Sequence, residues 1–241
     1  MSPMSPNMRP DFPKRVFVSG GSKGIGLAIA RRFLAEGFDV AVSASSQASL
    51  DALQAEHPEI KTYLCDMASK EAVLELSERL LNDFGPLEVL VNNVGRFIPG
   101  QLHSESDETF EYLIQLNLAS VYYLTKRLLP PMMAQRSGTV FNICSTASIT
   151  AYPNGGSYCI SKFALHGFSK VLREEMKPHQ IRVVSVLPGA TLTASWEGVD
   201  LPPERFIPAE DIGSIVWQTY CLSPRTVVED VLIRPLEGDL G

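Results

Sequence analysis

Short apolar runs rich in β-branched residues alternate along the chain with longer stretches in which apolar side chains return every three or four positions. The short runs, Arg15–Val18, Asp39–Val42, Lys61–Cys65, Glu88–Val91, Thr139–Ile143, Ile181–Leu187 and Val231–Arg234, predict strands. The longer ones predict helices over Gly24–Glu36, Leu50–Glu56, Ser69–Phe84, Asp107–Ala134, Ser157–Met176 and Ala209–Cys221, the fifth stopped by Pro178. In Ser69–Phe84, Val73, Leu76, Leu80 and Phe84 keep the spacing of one buried face. This alternation demands a mostly parallel sheet with helices on both faces. No linker, repeat or low-complexity block interrupts it, so a single domain is expected over residues 14–241. Residues 1–13 hold four prolines and no apolar core segment, and read as a flexible tail rather than a secretory signal.

In such sheets ligands bind beyond the carboxyl ends of the strands, where the strand order reverses. The segments that fall there are Ser19–Gly26, Ser43–Ser46, Asp66–Met67, Asn92–Gly95, Cys144–Ser148 and Pro188–Thr193. The first carries glycines at 20, 24 and 26, between the first strand and the first helix. Those glycines allow a tight turn, a close approach of backbone to phosphate, and close packing of helix on sheet. The helix N-terminus then offers free N–H groups to a diphosphate. The spacing is GxxxGxG and lacks the Lys-Ser/Thr ending of an ATP-hydrolysing loop.

Tyr158 and Lys162 stand four apart, on one helical face. A free phenol titrates near pH 10, and a neighbouring ammonium lowers that value, which suits proton exchange with a carbonyl or alcohol. Such a pair is common on helices and carries nothing alone. Ser145, just past the fifth strand, can face Tyr158 across the strand ends and donate to the same substrate oxygen.

Composition narrows the classes. The apolar fraction of 45% is enough to build a core, which excludes a disordered chain. A net charge of −6 makes a nucleic-acid partner unexpected. No apolar run reaches the roughly 18 residues of a membrane span. Cys65, Cys144, Cys159 and Cys221 form no CxxC pair and are read as reduced thiols of a cytoplasmic protein. The four histidines show no metal-ligand spacing, so no metal site is expected.

Taken together, Gly20–Gly26 (GxxxGIG), Asn92-Asn-Val-Gly95, Asn117, Ser145, Tyr158-xxx-Lys162 and Pro188-Gly189 resemble, in order and spacing, the short-chain dehydrogenase/reductase family in its classical form. The resemblance runs from about Lys14 to Leu236. It implies a single-domain Rossmann-type doubly wound parallel sheet of about seven strands. It also implies that Tyr158 is the general acid/base, that Lys162 lowers its pKa and holds the nicotinamide ribose, and that Ser145 orients the substrate carbonyl. Asn117 is similar to the asparagine that holds a water in a proton relay through Lys162; read as a residue alone, an amide at a helix bulge can serve both ends. Asn93 and Gly95 are implied beside the adenosine ribose and central sheet. Asp66 is implied at the adenine amino group, with Met67 supplying backbone there. Gly20, Ser22, Lys23, Gly24, Ile25, Gly26, Pro188, Gly189, Thr191 and Thr193 complete the implied cofactor set. Three departures stand out: Ser19 for the usual threonine, Val94 for alanine, and an ending, Val231 to Asp239, unlike that of most acyl-carrier-protein ketoreductases.

The end of the second strand bears on the cofactor. An acidic residue there would bond the adenosine ribose and repel a 2′-phosphate. Val42–Ser46 has none, Lys23 adds a cation, and Ser45 and Ser46 can donate to the phosphate, so NADP(H) is expected, with NAD(H) the alternative. The expected function is hydride transfer between that cofactor and a small carbonyl or secondary alcohol substrate. The alternatives are a 3-oxoacyl-[acyl-carrier-protein] reductase or a non-catalytic NADP-binding regulator on the same fold. Pocket candidates are Arg96, Phe97, Ile149, Tyr152, Pro153, Asn154 and Trp196, with Thr191–Phe206 as a lid. The stretches Asp107–Ala134 and Ser157–Met176 carry more apolar residues than one core-facing stripe uses, which points to a homodimer or homotetramer.

Overall fold

The structure, a computed structural model, describes residues 13–196 and 198–239. Seven parallel strands lie in the order β3-β2-β1-β4-β5-β6-β7. They are β1 (Arg15–Val18), β2 (Asp39–Ala44), β3 (Lys61–Leu64), β4 (Val89–Asn92), β5 (Thr139–Ile143), β6 (Arg182–Pro188) and β7 (Asp230–Ile233). Seven helices connect them: α1 (Gly24–Ala35), α2 (Gln47–Glu56), α3 (Lys70–Asp83), α4 (Asp107–Ile114), α5 (Ser120–Gln135), α6 (Gly156–Met176) and α7 (Ala209–Tyr220). This is the single doubly wound Rossmann-type domain expected from the pattern. The proposed tail, residues 1–13, lies outside the described residues except for Pro13.

Strand side chains alternate between the two faces. Val16, Val18, Val40, Val42, Val89 and Val91 face one helix layer, packing with Phe33 of α1 and Val216 and Trp217 of α7. Phe17, Ala41 and Leu90 face the other, against Leu76 and Leu80 of α3, Leu124 and Leu128 of α5, and Leu172 of α6. The sheet runs outward in opposite directions from β1 and β4, so a crevice opens at their carboxyl ends.

Two segments depart from the expected elements. The helix expected from 107 to 134 is three pieces: α4, a π-helical stretch over Gln115–Ala119, and α5. The wider turn holds Asn117 fully buried while its side chain bonds backbone outside the helix. Helix α2 begins three residues before the expected start, because Ser46 caps it by accepting from Ser49 N at 3.4 Å. Behind the crevice, Asn92 Nδ2 donates to Asn142 Oδ1 at 2.8 Å and Thr125 Oγ1 at 2.9 Å, and Asn142 Nδ2 donates to Ser169 Oγ at 2.8 Å. These buried bonds tie the central strands to α5 and α6.

The outer layer of α1 and α7 closes on an aromatic cluster. Phe33, fully buried, meets Phe38, Trp217 and Tyr220 edge-on at centroid distances of 5.1, 5.3 and 5.7 Å. Phe33→Ala is expected to cost about 3–5 kcal/mol, the usual range for emptying such a site. Denaturant unfolding measures it; a loss under about 1 kcal/mol, typical of an ordinary substitution, would show that the cluster does not hold α1 to α7.

Candidate active site

The glycine turn lies at the carboxyl end of β1. Gly20 and Gly24 hold φ of +66° and +56°, values that favour glycine. A Cβ on Gly26 would stand 2.4 Å from Gly20 O, so the third glycine serves the close passage of α1 under the turn. Gly21, not singled out from spacing, is needed as well: a Cβ there would meet Val42 at 2.6 Å. The N-terminus of α1 has no side-chain cap and no acidic residue in its first turn. Its N–H groups, with the exposed Lys23 at the N-cap, suit an anionic ligand, and a diphosphate fits that donor set. Ser22 is half-buried beside them and Ile25 packs toward the core.

The opposing strand end is laced to this turn. Ser19 Oγ accepts from Asn93 N at 3.0 Å and Val94 N at 3.2 Å, while Asn93 Nδ2 donates to Ser19 O and Gly20 O at 3.0 Å each. The hydroxyl that Ser19 shares with the usual threonine is therefore the part in use. Asn93 spends both side-chain N–H groups here and supports the turn from below.

Farther along the crevice, Ser145, Tyr158, Lys162 and Asn117 come together. Ser145, half-buried, caps the short turn Thr146–Ser148: its Oγ accepts from Ala147 N at 3.1 Å, and Ser148 Oγ accepts from Ser145 N at 3.2 Å. Tyr158, on the first turn of α6, lies beside Ser145. Burial pushes the phenol above its ordinary value, and the Ser145 side chain offsets part of that rise. Lys162, four residues on, is buried; its Nζ donates to Ile143 O at 3.0 Å and lies 5.9 Å from the Tyr158 ring centre. Burial holds its pKa below the usual lysine value. The Lys162 ammonium is turned toward β5, where Ile143 O accepts from it.

Gly95 makes room for this cluster: a Cβ there would stand 3.1 Å from Lys162 Nζ and 3.5 Å from Asn117 Oδ1. Asn117 Oδ1 accepts from Arg96 N at 2.9 Å, and its Nδ2 donates to Arg96 O at 3.1 Å and Ser161 Oγ at 2.9 Å. Both amide N–H groups are engaged, leaving one acceptor position on Oδ1. Ser161, in turn, donates to Tyr158 O at 2.7 Å.

The remaining expected residues flank the crevice in different ways. Ser45 is exposed just past β2, whereas Ser46 is a helix cap. Asp66 is exposed and accepts from Ala68 N at 2.9 Å; Met67 is buried, its sulfur 3.7 Å from that of Cys65. Pro188 ends β6, Gly189 N bonds Ile233 O at 2.8 Å, and the Thr191 hydroxyl turns back to Gly189 O at 3.0 Å. Thr193 arches over the glycine turn, its Cγ2 3.2 Å from where a Gly24 Cβ would stand. Phe97 meets the Tyr158 ring edge-on at 5.0 Å, and exposed Ile149 and Tyr152 line the loops on the same side. Trp196 packs on Phe206 at 5.2 Å within the lid segment. Asn154, exposed, accepts from Gly100 N through its carbonyl and from Gln101 Nε2 through Oδ1, at 3.0 Å each. Ser148 and Ser161 escape a reading of spacing because their role lies in local backbone geometry. Glu105 escapes it because its partner, Ser157, is 52 residues away.

A cleft of about 570 Å³ opens between α1 and the lid and includes Gly24, Leu192 and Phe206, but not Tyr158. That cleft is lined by Arg31, Glu204 and Glu210 among apolar residues, and it adjoins the glycine turn at Gly24 rather than the cluster around Tyr158.

Comparison with known proteins agrees with this architecture. Residues 14–202 match the family model described as short chain dehydrogenase. The chain is 33% identical over 239 residues to the sepiapterin reductase of Chlorobaculum tepidum, covering 93% of this chain and 97% of that one. It is 34% identical over 214 residues to a 3-oxoacyl-[acyl-carrier-protein] reductase of Haemophilus influenzae, covering 84% and 88%. Among solved structures, a metagenomic short-chain oxidoreductase in complex with NADP superposes with a TM-score of 0.81 at 30% identity, covering 92% of this chain and 96% of that one. The glycine turn, the strand-end cluster and these matches converge: the chain belongs to the short chain dehydrogenase family.

Proposed function

We propose that this chain is an NADP(H)-dependent oxidoreductase acting on a carbonyl or secondary alcohol of a small molecule, with Tyr158 moving the proton. The observation that carries the reading is the meeting of Ser145, Tyr158, Lys162 and Asn117 in the crevice that begins at the uncapped N-terminus of α1. The nicotinamide, when bound, supplies the hydride chemistry. The protein's part is position and proton transfer. Ser145 Oγ donates to the substrate oxygen and sets it against the phenol. Tyr158 gives its proton to that oxygen during reduction and takes one back during oxidation. Lys162, fixed by Ile143 O, keeps further N–H donors for ribose hydroxyls. Asn117 holds Arg96 and Ser161, and so the floor of the site. The solved relative holding NADP, the absence of a carboxylate between Val42 and Ser46, and the exposed Lys23 support NADP over NAD. The four cysteines, all free thiols, fit a cytoplasmic location.

A phenol raised by burial keeps its proton at neutral pH. Reduction, which consumes that proton, should hold level through neutrality and fall only as pH climbs past the raised value; oxidation should slope the other way. Tyr158→Phe should lower turnover by a factor on the order of 10² or more with little change in NADPH affinity. The assay follows NADPH absorbance against free ketones, sepiapterin and an acetoacetyl thioester. Retained turnover removes Tyr158 from the mechanism, and a preference for the thioester moves the substrate to acyl carriers.

Cofactor choice has its own test. A carboxylate at position 45 would stand near the ribose 2′-phosphate, so Ser45→Asp should lower the NADPH/NADH ratio of kcat/KM about tenfold, the size of one surface charge repulsion. An unchanged ratio would place the phosphate elsewhere.

We also infer a homo-oligomer. Tyr122 on α5 and Phe163 and Val171 on α6 are 44%, 44% and 60% exposed, an apolar face on the two helices beside the site. Light scattering behind size exclusion should give a multiple of the 26.5 kDa chain mass; that mass alone at micromolar concentration refutes it.

A further inference from the structure

Helix α6 carries Tyr158 and Lys162, yet it starts without a side-chain cap of its own. Its N-cap is Gly155, which has no side chain to accept from the first-turn N–H groups. The missing acceptor comes from a distant loop. The two carboxylate oxygens of Glu105 accept from Ser157 N at 3.1 and 3.3 Å, and one of them also accepts from Ser157 Oγ. A negative charge there complements the helix dipole, and bonds to an ionised acceptor are stronger than neutral ones. Glycines make the room: a Cβ on Gly156 would stand 2.7 Å from Glu105 Oε2, and one on Gly100 2.9 Å from it.

The loop bearing Glu105 is attached at several further points. Gly100 N donates to Asn154 O at 3.0 Å, Gln101 Nε2 donates to Asn154 Oδ1 at 3.0 Å, and Gly100 forms a parallel bridge with Gly155. Where the loop leaves β4, Arg96 is held through both backbone groups by Asn117. Between these anchors Phe97 stands edge-on to Tyr158. Ser157, the residue that Glu105 grips, is the immediate neighbour of Tyr158. One carboxylate therefore fixes both the first turn of the tyrosine's helix and the loop whose aromatic ring walls the tyrosine.

We propose that Glu105 is a positioning residue for the reaction, holding the Tyr158 phenol in register with Ser145 and holding Phe97 against it as a substrate wall. The claim rests on Tyr158 being the proton donor. An ordinary helix cap would affect stability and leave turnover alone; a positioning residue changes turnover and substrate KM while the phosphate end of the cofactor site, on α1, is untouched.

The experiment uses the full chain, with NADPH and the ketone that the wild type reduces best. Glu105→Ala should lower kcat about ten- to a hundredfold, the scale of a misplacement near 1 Å, and raise substrate KM. NADPH Kd, read by fluorescence titration, should stay within about twofold, since α1 keeps its donors. Glu105→Gln, whose amide oxygen still accepts from Ser157 N, should recover most of the kcat. Hydrogen exchange of the amides of Ser157 to Ser161 should quicken in the alanine variant and return in the glutamine variant. The proposal is overturned by Glu105→Ala with kcat unchanged, by equal loss of kcat and NADPH affinity, or by absence of rescue in Glu105→Gln. If the alanine variant does not fold, Ser157→Ala replaces it: it removes the hydroxyl partner alone, and unchanged kcat and KM there overturn the proposal too. Tyr158→Phe run alongside separates the two readings. Turnover surviving in Tyr158→Phe defeats the proton-transfer assignment; turnover lost there but normal in Glu105→Ala defeats only the positioning role.

Discussion

The seam between β1 and β4 is the constraint on which the rest of the site depends. A sheet that grows outward in both directions from two central strands must part at their carboxyl ends, and parting strands leave backbone groups without ladder partners. Here Ser19 and Asn93 satisfy them reciprocally. The serine hydroxyl takes the N–H groups of Asn93 and Val94, and the asparagine amide gives its two protons to the carbonyls of Ser19 and Gly20. Each such bond contributes about 1 kcal/mol net, but losing a partner would strand buried groups at a larger cost. Because the seam is closed from below, the glycine turn above it is free to present the N–H groups of α1 outward.

The same logic is repeated one strand over. Asn92, Asn142 and Ser169 form a buried polar chain from β4 through β5 to α6, and Asn117 with Ser161 forms another from the π-helical stretch to α6. Amide side chains suit these places because each can donate twice and accept twice in one plane. They fasten the helix that bears Tyr158 and Lys162 to β4 and β5 and to the π-helical stretch. Two groups of the proposed reaction, Tyr158 and Lys162, thus stand on a helix anchored at several points, with Phe97 on the loop beside Tyr158.

Much of this is legible in the sequence, for identifiable reasons. The strands are short β-branched runs bounded by turn residues, so their existence and order follow from pattern, with ends displaced by a residue or two. The glycine turn and the Tyr158, Lys162 pair follow from spacing, because a 3.6-residue helix places i and i+4 on one face. Periodicity does not carry the break at Gln115–Ala119, since a π-helical turn keeps helical apolar spacing on both sides and owes its shape to one buried amide bonded to Arg96. Nor does it carry the start of α2, which the Ser46 hydroxyl sets by accepting from Ser49 N. Glu105 and Ser157 are joined only by the fold. The rise at Tyr158 is equally absent from spacing, because it comes from burial.

Burial bears on both groups that the proposed reaction would use. Tyr158 and Lys162 lie in surroundings that penalise charge, and burial moves each toward its neutral form. Among the described residues no carboxylate pairs with the Lys162 ammonium, which is held by the carbonyl of Ile143. A buried cation kept without a counter-ion is a poor device for stability. For the proposed cofactor role it is apt, because ribose hydroxyls brought to its remaining N–H groups would supply what the fold withholds. The phenol beside it retains its proton for the same reason. In the proposed reaction, a protonated acid beside Ser145, with a donor-rich lysine on the same helix, would give its proton to an oxygen on which charge is building. Under the proposed function, burial thus keeps the phenol in the protonated form that carbonyl reduction would draw on.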